Sequence, residues 1–279
     1  MNKTYFEREN SISILGCGWL GLPLAKKLTN KHITIKGSTT NVSKFKELEK
    51  CGIKPYQIFL NPSFNENFDH DFFQSNILII NIPPQQRDDI ESFHPLQFKY
   101  LIEEIKLSSI RKVLFISSTS VYANCNQTVY ETDEIIPEKA SGKALRAVEK
   151  MLLKESKFTT SIIRFGGLIG YDRKSGSFFA GKKQLKDGDA PVNLIHLDDC
   201  IEVILHILEN DLWGEIYNAC CPEHPIRKEF YEAAARINDF EIPEFISGKS
   251  SYKIVSSKKL IEKAHYKFRF TTPIEALKY

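Results

Sequence analysis

Through the first two thirds of the chain, short runs of aliphatic and β-branched residues alternate with stretches in which apolar positions return every three or four residues. Strands covered on both faces read as continuous apolar runs, whereas each covering helix needs one apolar stripe. The alternation therefore predicts a parallel sheet with helices on both sides. The runs place strands near residues 12 to 15, 33 to 37, 56 to 60, 77 to 82, 112 to 118, 160 to 165 and 215 to 219. Leu20, Leu24 and Leu28 follow the first strand at fourfold spacing, Leu101 and Ile105 mark a later helix, and residues 143 to 154 supply another.

After residue 165 the rhythm breaks into GGLIGYDRKSGSFFAGKKQLKDGD, too rich in glycine and too long for a regular element. Beyond residue 221, Pro222, Pro225, Pro243 and Pro273 punctuate short helical pieces. The expected organisation is a sheet-bearing domain of residues 1 to 165 and 192 to 220, with a smaller lobe of residues 166 to 191 and 221 to 279. Such a lobe either carries substrate or merely packs over the sheet edge.

At 279 residues, 42% of them hydrophobic, the chain can bury one full core. Its net charge is only +3, and lysines and arginines are interleaved with acids, which argues for a small-molecule partner and against nucleic acid or a membrane. Whether it acts as a monomer or homodimer stays open. Cys17, Cys51, Cys125, Cys200, Cys220 and Cys221 form no CxxC pair and read as free thiols in a reducing compartment. The start, MNKTYFEREN, lacks the apolar stretch of a signal peptide and no run approaches the ~18 apolar residues of a membrane span, so a cytoplasmic location is expected. The histidines at 32, 70, 94, 196, 206, 224 and 265 show no metal-binding spacing, and no metal is expected.

The stretch ISILGCGWLGLPLAKKL, residues 12 to 28, sets Gly16, Gly18 and Gly21 as GxGxxG between the first strand and first helix. There the first glycine permits a tight turn, the second admits a pyrophosphate to the backbone, and the third lets helix and strand pack closely. The helix N-terminus adds unpaired N–H groups and a partial positive charge, and Pro23 in its first turn costs no needed donor. Gly16, Cys17, Gly18, Trp19, Leu20 and Gly21 are thus the expected cofactor turn. The second strand ends in Lys36-Gly37-Ser38-Thr39-Thr40-Asn41, with no acid before Glu47 to hold ribose hydroxyls. Ser38, Thr39 and Thr40, with Lys36 and Lys44 nearby, suit a 2′-phosphate, so NADP is expected over NAD. The competing reading is a Ser/Thr-rich turn that caps a helix starting near Val42.

Six ordered segments, among them GCGWLGLPLA, SSTSVYANCNQTVYET, RFGGLIG, GSFFAGK, VNLIHLDD and IYNACCPEHP, resemble the extended short-chain dehydrogenase/reductases over essentially the whole chain. Within them the resemblance is to the atypical, YeeZ-like group of NAD(P)-dependent epimerase/dehydratase-like proteins. It implies an α/β fold: a Rossmann-type doubly wound parallel sheet of seven strands with a smaller C-terminal substrate lobe. It also implies that Asn81, Ile82 and Pro83 pass the adenosine and ribose side of the cofactor, while Phe165 and Gly167, with Gly166 and Leu168, border the nicotinamide.

By the same resemblance Ser118 is the active-site hydroxyl that binds a substrate carbonyl or alcohol, with Thr119 the second choice. Typical members pair it with a YxxxK helix whose tyrosine is the acid/base. Here the helix reads PEKASGKALRAVEKML. Anchoring on Lys143 puts Lys139 at the tyrosine position, whereas anchoring on Glu149 puts Ser141 there and Leu145 at the lysine's. Either register removes the usual proton donor. Tyr122 is the substitute acid/base, or packs; Lys143 contacts cofactor, or solvent.

Asn193 lines the pocket by family position, and His196 touches substrate or sits structurally at a strand-to-helix junction. Phe178 and Phe179, with Lys174, Lys182, Lys183 and Lys186, suit an anionic, ring-bearing substrate such as a nucleotide sugar, or form a wet loop. A Ser118-His196-Asp198 hydrolase has no GxSxG elbow and leaves the glycine turn unexplained. The expectation is an NADP-preferring oxidoreductase or epimerase-like enzyme. The rival, prompted by the missing tyrosine, is a non-catalytic NADP-binding sensor or regulator.

Overall fold

The computed structural model describes residues 11–31, 33–134, 136–173, 175–246, 248 and 250–279; His32, Lys174 and the first ten residues lie outside them. Seven strands form the central sheet in the order β10-β7-β5-β4-β1-β2-β3. They are β1 (Ser11–Leu15), β2 (Thr34–Thr39), β3 (Ile53–Gln57), β4 (Ile77–Ile80), β5 (Lys112–Ser118), β7 (Thr159–Phe165) and β10 (Ile216–Ala219). Two short pairs stand apart: β6 (Gln127–Val129) with β11 (Lys253–Val255), and β8 (Gly167–Ile169) with β9 (Leu194–His196), both parallel. The helices are α1 (Gly21–Thr29), α2 (Phe45–Lys50), α3 (Ile90–Leu107), α4 (Ala140–Lys154), α5 (Leu197–Glu209), α6 (Arg227–Ile237), α7 (Lys258–Glu262) and α8 (Pro273–Ala276).

The ladders from β3 through β2, β1 and β4 to β5 are parallel, with Ile12 opposite both Ile35 and Ile77. Strand order reverses at β1, whose neighbours are β2 and β4. Such a switch point opens a crevice at the strands' carboxyl ends. Ile12, Ile14, all of β4 and Val113 to Phe115 are buried, as double coverage requires. Helix α1 turns Leu24, Ala25 and Leu28 inward.

One strand lies three residues earlier than its apolar run suggests. β3 covers residues 53–57 rather than 56 to 60 and contains Pro55 opposite Gly37. Proline is tolerated because β3 is an edge strand with no partner on its outer side. Ile58 and Leu60 follow as buried extended chain, Ile58 donating to the Thr39 carbonyl at 3.2 Å.

The chain divides into two compact units, one comprising the residues up to Ser117 with Lys139–Ile163 and Leu205–Ile216, the other Ser118–Glu138, Arg164–Ile204 and Tyr217–Tyr279. In the second, Ile169, Val192, Cys221, Phe230, Phe270 and Ala276 form an apolar core. Asp199 is fully buried and accepts from the Tyr266 hydroxyl at 2.8 Å and the Arg269 and Phe270 N–H groups at 2.8 and 3.1 Å, tying the C-terminal segment down. The glycine-rich stretch is also held: Leu185 N–H reaches the Glu244 carbonyl at 3.0 Å and Glu244 N–H the Lys182 carbonyl at 2.9 Å. These bonds anchor its backbone at residues 182 and 185, while Phe178 and residues 182 to 184 stay exposed.

Candidate functional site

The glycine turn shows three different reasons for glycine. Gly16 has φ +104°, and a Cβ there would lie 2.6 Å from the Asn81 carbonyl oxygen; at Gly21 a Cβ would lie 2.1 Å from the Gly16 oxygen. At Gly18 a Cβ would meet nothing within 4 Å. The protein itself needs the first and third glycines for close packing, whereas the second leaves bare backbone facing open space. Helix α1 begins beside it with no side-chain cap and no acid in its first turn, so its leading N–H groups suit an anion.

Gly16, Cys17 and Gly18 line a cavity of about 260 Å³ together with Ser38, Thr39, Thr40, Lys44, Ile58, Leu60, Ile82, Pro83, Gln85 and Gln97. No carboxylate is among these lining residues. Ser38 is buried and its Oγ accepts from Gly16 N–H at 2.9 Å, which locks the end of β2 onto the turn. Asn41 rather than the hydroxyls caps the following 3-10 turn, its Oδ1 accepting from Ser43 N–H at 2.9 Å. Ile58, Leu60, Gln85 and Gln97 were not singled out from sequence; the apolar pair beyond β3 was the available signal.

Several expected cofactor residues are engaged within the protein itself. Lys36 is buried and donates to the Asp71 and Gln74 carbonyls, the latter at 2.8 Å, so its charge is engaged away from the cavity. Asn81 is a clamp: its Nδ2 donates to the Gly16 carbonyl at 3.1 Å, while Ile82 and Pro83 do the lining. Leu20 is buried and Trp19 half-buried, neither lining this cavity. Cys17 reaches the cavity, but burial pushes its thiol up to about 12, which keeps it an unreactive neutral group.

The hydroxyl-rich turn after β5 starts the second cluster. Ser118 caps it, its Oγ accepting from Ser120 N–H at 3.1 Å, while Thr119 is buried. Tyr122 is buried as well, and its hydroxyl lies 2.9 Å from Asn218 Oδ1 and 3.0 Å from the Tyr130 carbonyl while accepting from Arg164 Nη1 at 2.5 Å. Burial raises its pKa, against the pull of the Arg164 charge. A hydroxyl so enclosed is a poor acid/base for a bound substrate; it serves to satisfy Arg164. That buried arginine escaped the sequence reading, although a charge inside the apolar run SIIRF was the signal.

Asn193 spends its amide on backbone, Nδ2 to the Lys253 carbonyl at 2.9 Å and Oδ1 from Val255 N–H at 2.7 Å, clasping β11 as a neighbouring strand would. It is therefore a clamp, not a free pocket-lining group. His196 is fully buried against Tyr171 and Phe270, and its Nδ1 accepts from Asp198 N–H at 3.2 Å. Burial lowers its pKa despite Asp198 and Asp199, and its Nε2 is buried without a hydrogen-bond partner. Phe179 is buried among Phe178, Tyr231 and Phe245. Phe165 is buried; Gly167 is exposed and bonds the Asn193 carbonyl at 2.8 Å.

In α4, Lys143 is exposed and paired with Glu91 at 3.2 Å. Lys139 stands exposed at the helix cap and Leu145 is buried. Neither register thus brings a tyrosine or a sequestered lysine into play. Glu149 is buried and accepts from Ser117 Oγ at 2.7 Å and Arg146 Nη1 at 3.1 Å. Among the described residues no group of three or more His, Cys, Asp or Glu is placed to hold a metal, and no helix is long and apolar enough to cross a membrane.

A seven-stranded parallel sheet whose order switches beside a GxGxxG turn, with a hydroxyl-rich turn closing β5, defines a Rossmann-type α/β protein. The chain belongs to the YeeZ family. It is 31% identical over 268 residues to the YeeZ proteins of Escherichia coli K12 and O157:H7, covering 94% of this chain and 97% of each of them. No family model matches the chain. Solved structures of like fold include a functionally unknown conserved protein from Silicibacter pomeroyi DSS at TM-score 0.74 and 18% identity, covering 96% of this chain and 97% of that one. A UDP-glucose 4-epimerase from Thermotoga maritima with UDP-glucose gives 0.75 at 16% identity, and a UDP-glucuronic acid 4-epimerase from Bacillus cereus with UDP-glucuronic acid and NAD gives 0.77 at 16%, each covering 96% of both chains.

Proposed function

We propose that the chain is a cytoplasmic, NADP-preferring enzyme of oxidoreductase or epimerase type, acting on a small carbonyl or sugar-nucleotide substrate. The observation that carries this reading is the cavity at the switch point: open backbone at Gly18, Lys44 and hydroxyls at the end of β2, and no lining carboxylate. The glycine turn and the start of α1 would hold the pyrophosphate, and Thr39, Thr40 and Lys44 the 2′-phosphate, which a carboxylate would repel. When bound, the nicotinamide supplies hydride transfer. Ser118 polarises the reacting oxygen, and water supplies the proton because Tyr122 is enclosed. Residues 166 to 191 and 221 to 279 form the substrate lobe of this reading. Fold neighbours holding UDP-sugars support a nucleotide-sugar substrate, which is also anionic.

Fluorescence titration tests the cofactor. NADPH binds more tightly than NADH, and Lys44→Met weakens NADPH about tenfold while leaving NADH nearly unchanged; equal affinity for the two would sink the preference. Turnover of a panel of sugar nucleotides and carbonyls tests the chemistry. The absence of a YxxxK pair and the surface position of Lys143 favour one rival, a non-catalytic NADP-binding regulator. Under the rival, Ser118→Ala leaves the cellular phenotype intact while Gly18→Asp abolishes it; loss in both supports the enzyme.

A further inference from the structure

Lys253 lies far along the sequence from every residue discussed for catalysis, yet its Nζ donates to the Tyr122 carbonyl at 2.5 Å, at the end of the turn that Ser118 opens. Its backbone is held on both flanks. On one side β11 pairs with β6, Lys253 opposite Gln127, and Asn126 and Tyr252 exchange two hydrogen bonds of 2.8 and 3.0 Å. On the other, the Asn193 amide grips the Lys253 carbonyl and the Val255 N–H. A lysine on a mobile surface spends its charge on water. This one is partly buried and fixed in place before any ligand arrives.

Its surroundings are strand ends. Ser257, two residues past β11, accepts from Cys220 N–H at 2.8 Å and donates to the Cys220 carbonyl at 2.9 Å, which ties the end of β11 to the residue following β10. Cys220 in turn is close to the end of β7, since a Cβ on Gly166 would lie 2.7 Å from its Sγ. Ligands of open parallel sheets bind beyond these carboxyl ends.

We infer that Lys253, delivered by the C-terminal segment to the turn after β5, is the cation that receives the substrate's reacting oxygen beside Ser118, in place of the lysine that α4 does not supply. The inference rests on the enzyme reading above. A fixed ammonium beside a hydroxyl steadies negative charge on a bound oxygen, and it does so from an element unrelated to the usual helix. Asn193 acts through it, as a positioning residue.

The test is calorimetric titration of the NADPH-loaded protein with UDP-glucose and with UDP-glucuronic acid, for the natural chain, Lys253→Met and Lys253→Arg. NADPH titrations and thermal melts run alongside, and amine acetylation read by peptide mass spectrometry reports each lysine's cover. Loss of a charge-assisted contact predicts affinity for the nucleotide lowered about tenfold to a hundredfold in Lys253→Met, with partial recovery in Lys253→Arg and NADPH affinity unchanged. Acetylation of Lys253 falls when the bound nucleotide is present. Equal nucleotide affinity in Lys253→Met overturns the inference and leaves the enzyme reading standing. Loss of NADPH affinity and melting temperature together makes Lys253 only a strut on Tyr122, which also overturns it. If the natural chain binds neither nucleotide, the sugar-nucleotide reading fails and the inference fails with it.

Discussion

Gly18 and Gly21 lie three residues apart and are glycine for opposite reasons, which a pair of substitutions separates. A methyl at Gly21 would sit 2.1 Å from the Gly16 oxygen, so Gly21→Ala should destabilise the fold by about 1–3 kcal/mol, seen as a lower urea midpoint. Gly18→Asp finds open space, so the melt should stay close to that of the natural chain while NADPH titration shows no binding, since side chain and charge face the pyrophosphate. A Gly18→Asp protein that binds NADPH normally would remove the cavity from consideration. The close packing at Gly21 was readable from spacing because it is a local property of one turn. The role of Asn81 was not, because its clamp on the Gly16 carbonyl joins residues 65 positions apart.

Among elements, β11 is the informative one: three residues long, invisible to periodicity, yet positioned by two side-chain bonds from Asn193 and a three-residue partner strand. Asn193→Ala should leave the Lys253 carbonyl and Val255 N–H without those partners, at about 1–3 kcal/mol each where water cannot replace them. Hydrogen exchange at Val255 should accelerate far more than at the amides of β4, whose four residues are all buried. Equal protection in both proteins would show that β6 alone holds β11. Long elements were legible: six of the seven central strands begin and end within a residue or two of the apolar runs that predict them. β3 was displaced because its apolar run continues past the ladder into Ile58 and Leu60, and Pro55 within the strand is acceptable at the sheet edge.

For the molecule as a whole, acid should be the vulnerable side. Burial holds His94, His196 and His224 below the ordinary histidine pKa, so the fold favours their neutral forms. With an unfolded value of about 6.5, their contribution is present above that pH and is lost as pH falls toward and through the depressed folded values. Asp71, held below the carboxylate range chiefly by the Tyr56 and Lys54 side chains, loses its contribution in the same direction at lower pH. Asp199 runs the other way: burial raises it, so its contribution is present below the unfolded carboxylate pKa and fades as pH rises through the folded one. The urea midpoint should therefore drop between about pH 7.5 and about pH 5.5, and the slope should flatten when the three histidines are changed to glutamine. A slope unchanged in that variant would locate the acid sensitivity elsewhere.

By itself the sequence determined the parallel sheet, the helix between β1 and β2, the glycine turn and the missing YxxxK tyrosine. Each is encoded in local periodicity, backbone freedom or residue identity. Tertiary structure alone decided which polar side chains are available to a ligand. Tyr122, Asn193 and His196 stand in segments that look like active-site motifs, but packing commits the Tyr122 hydroxyl to Arg164, the Asn193 amide to β11 and the His196 Nδ1 to the start of α5. Lys253 stands in a segment with no motif at all, and a parallel pairing with β6 brings its ammonium to the turn after β5. The physical reason is that a hydrogen bond depends on where two groups meet in space, and the groups that meet here lie up to 131 residues apart in the chain.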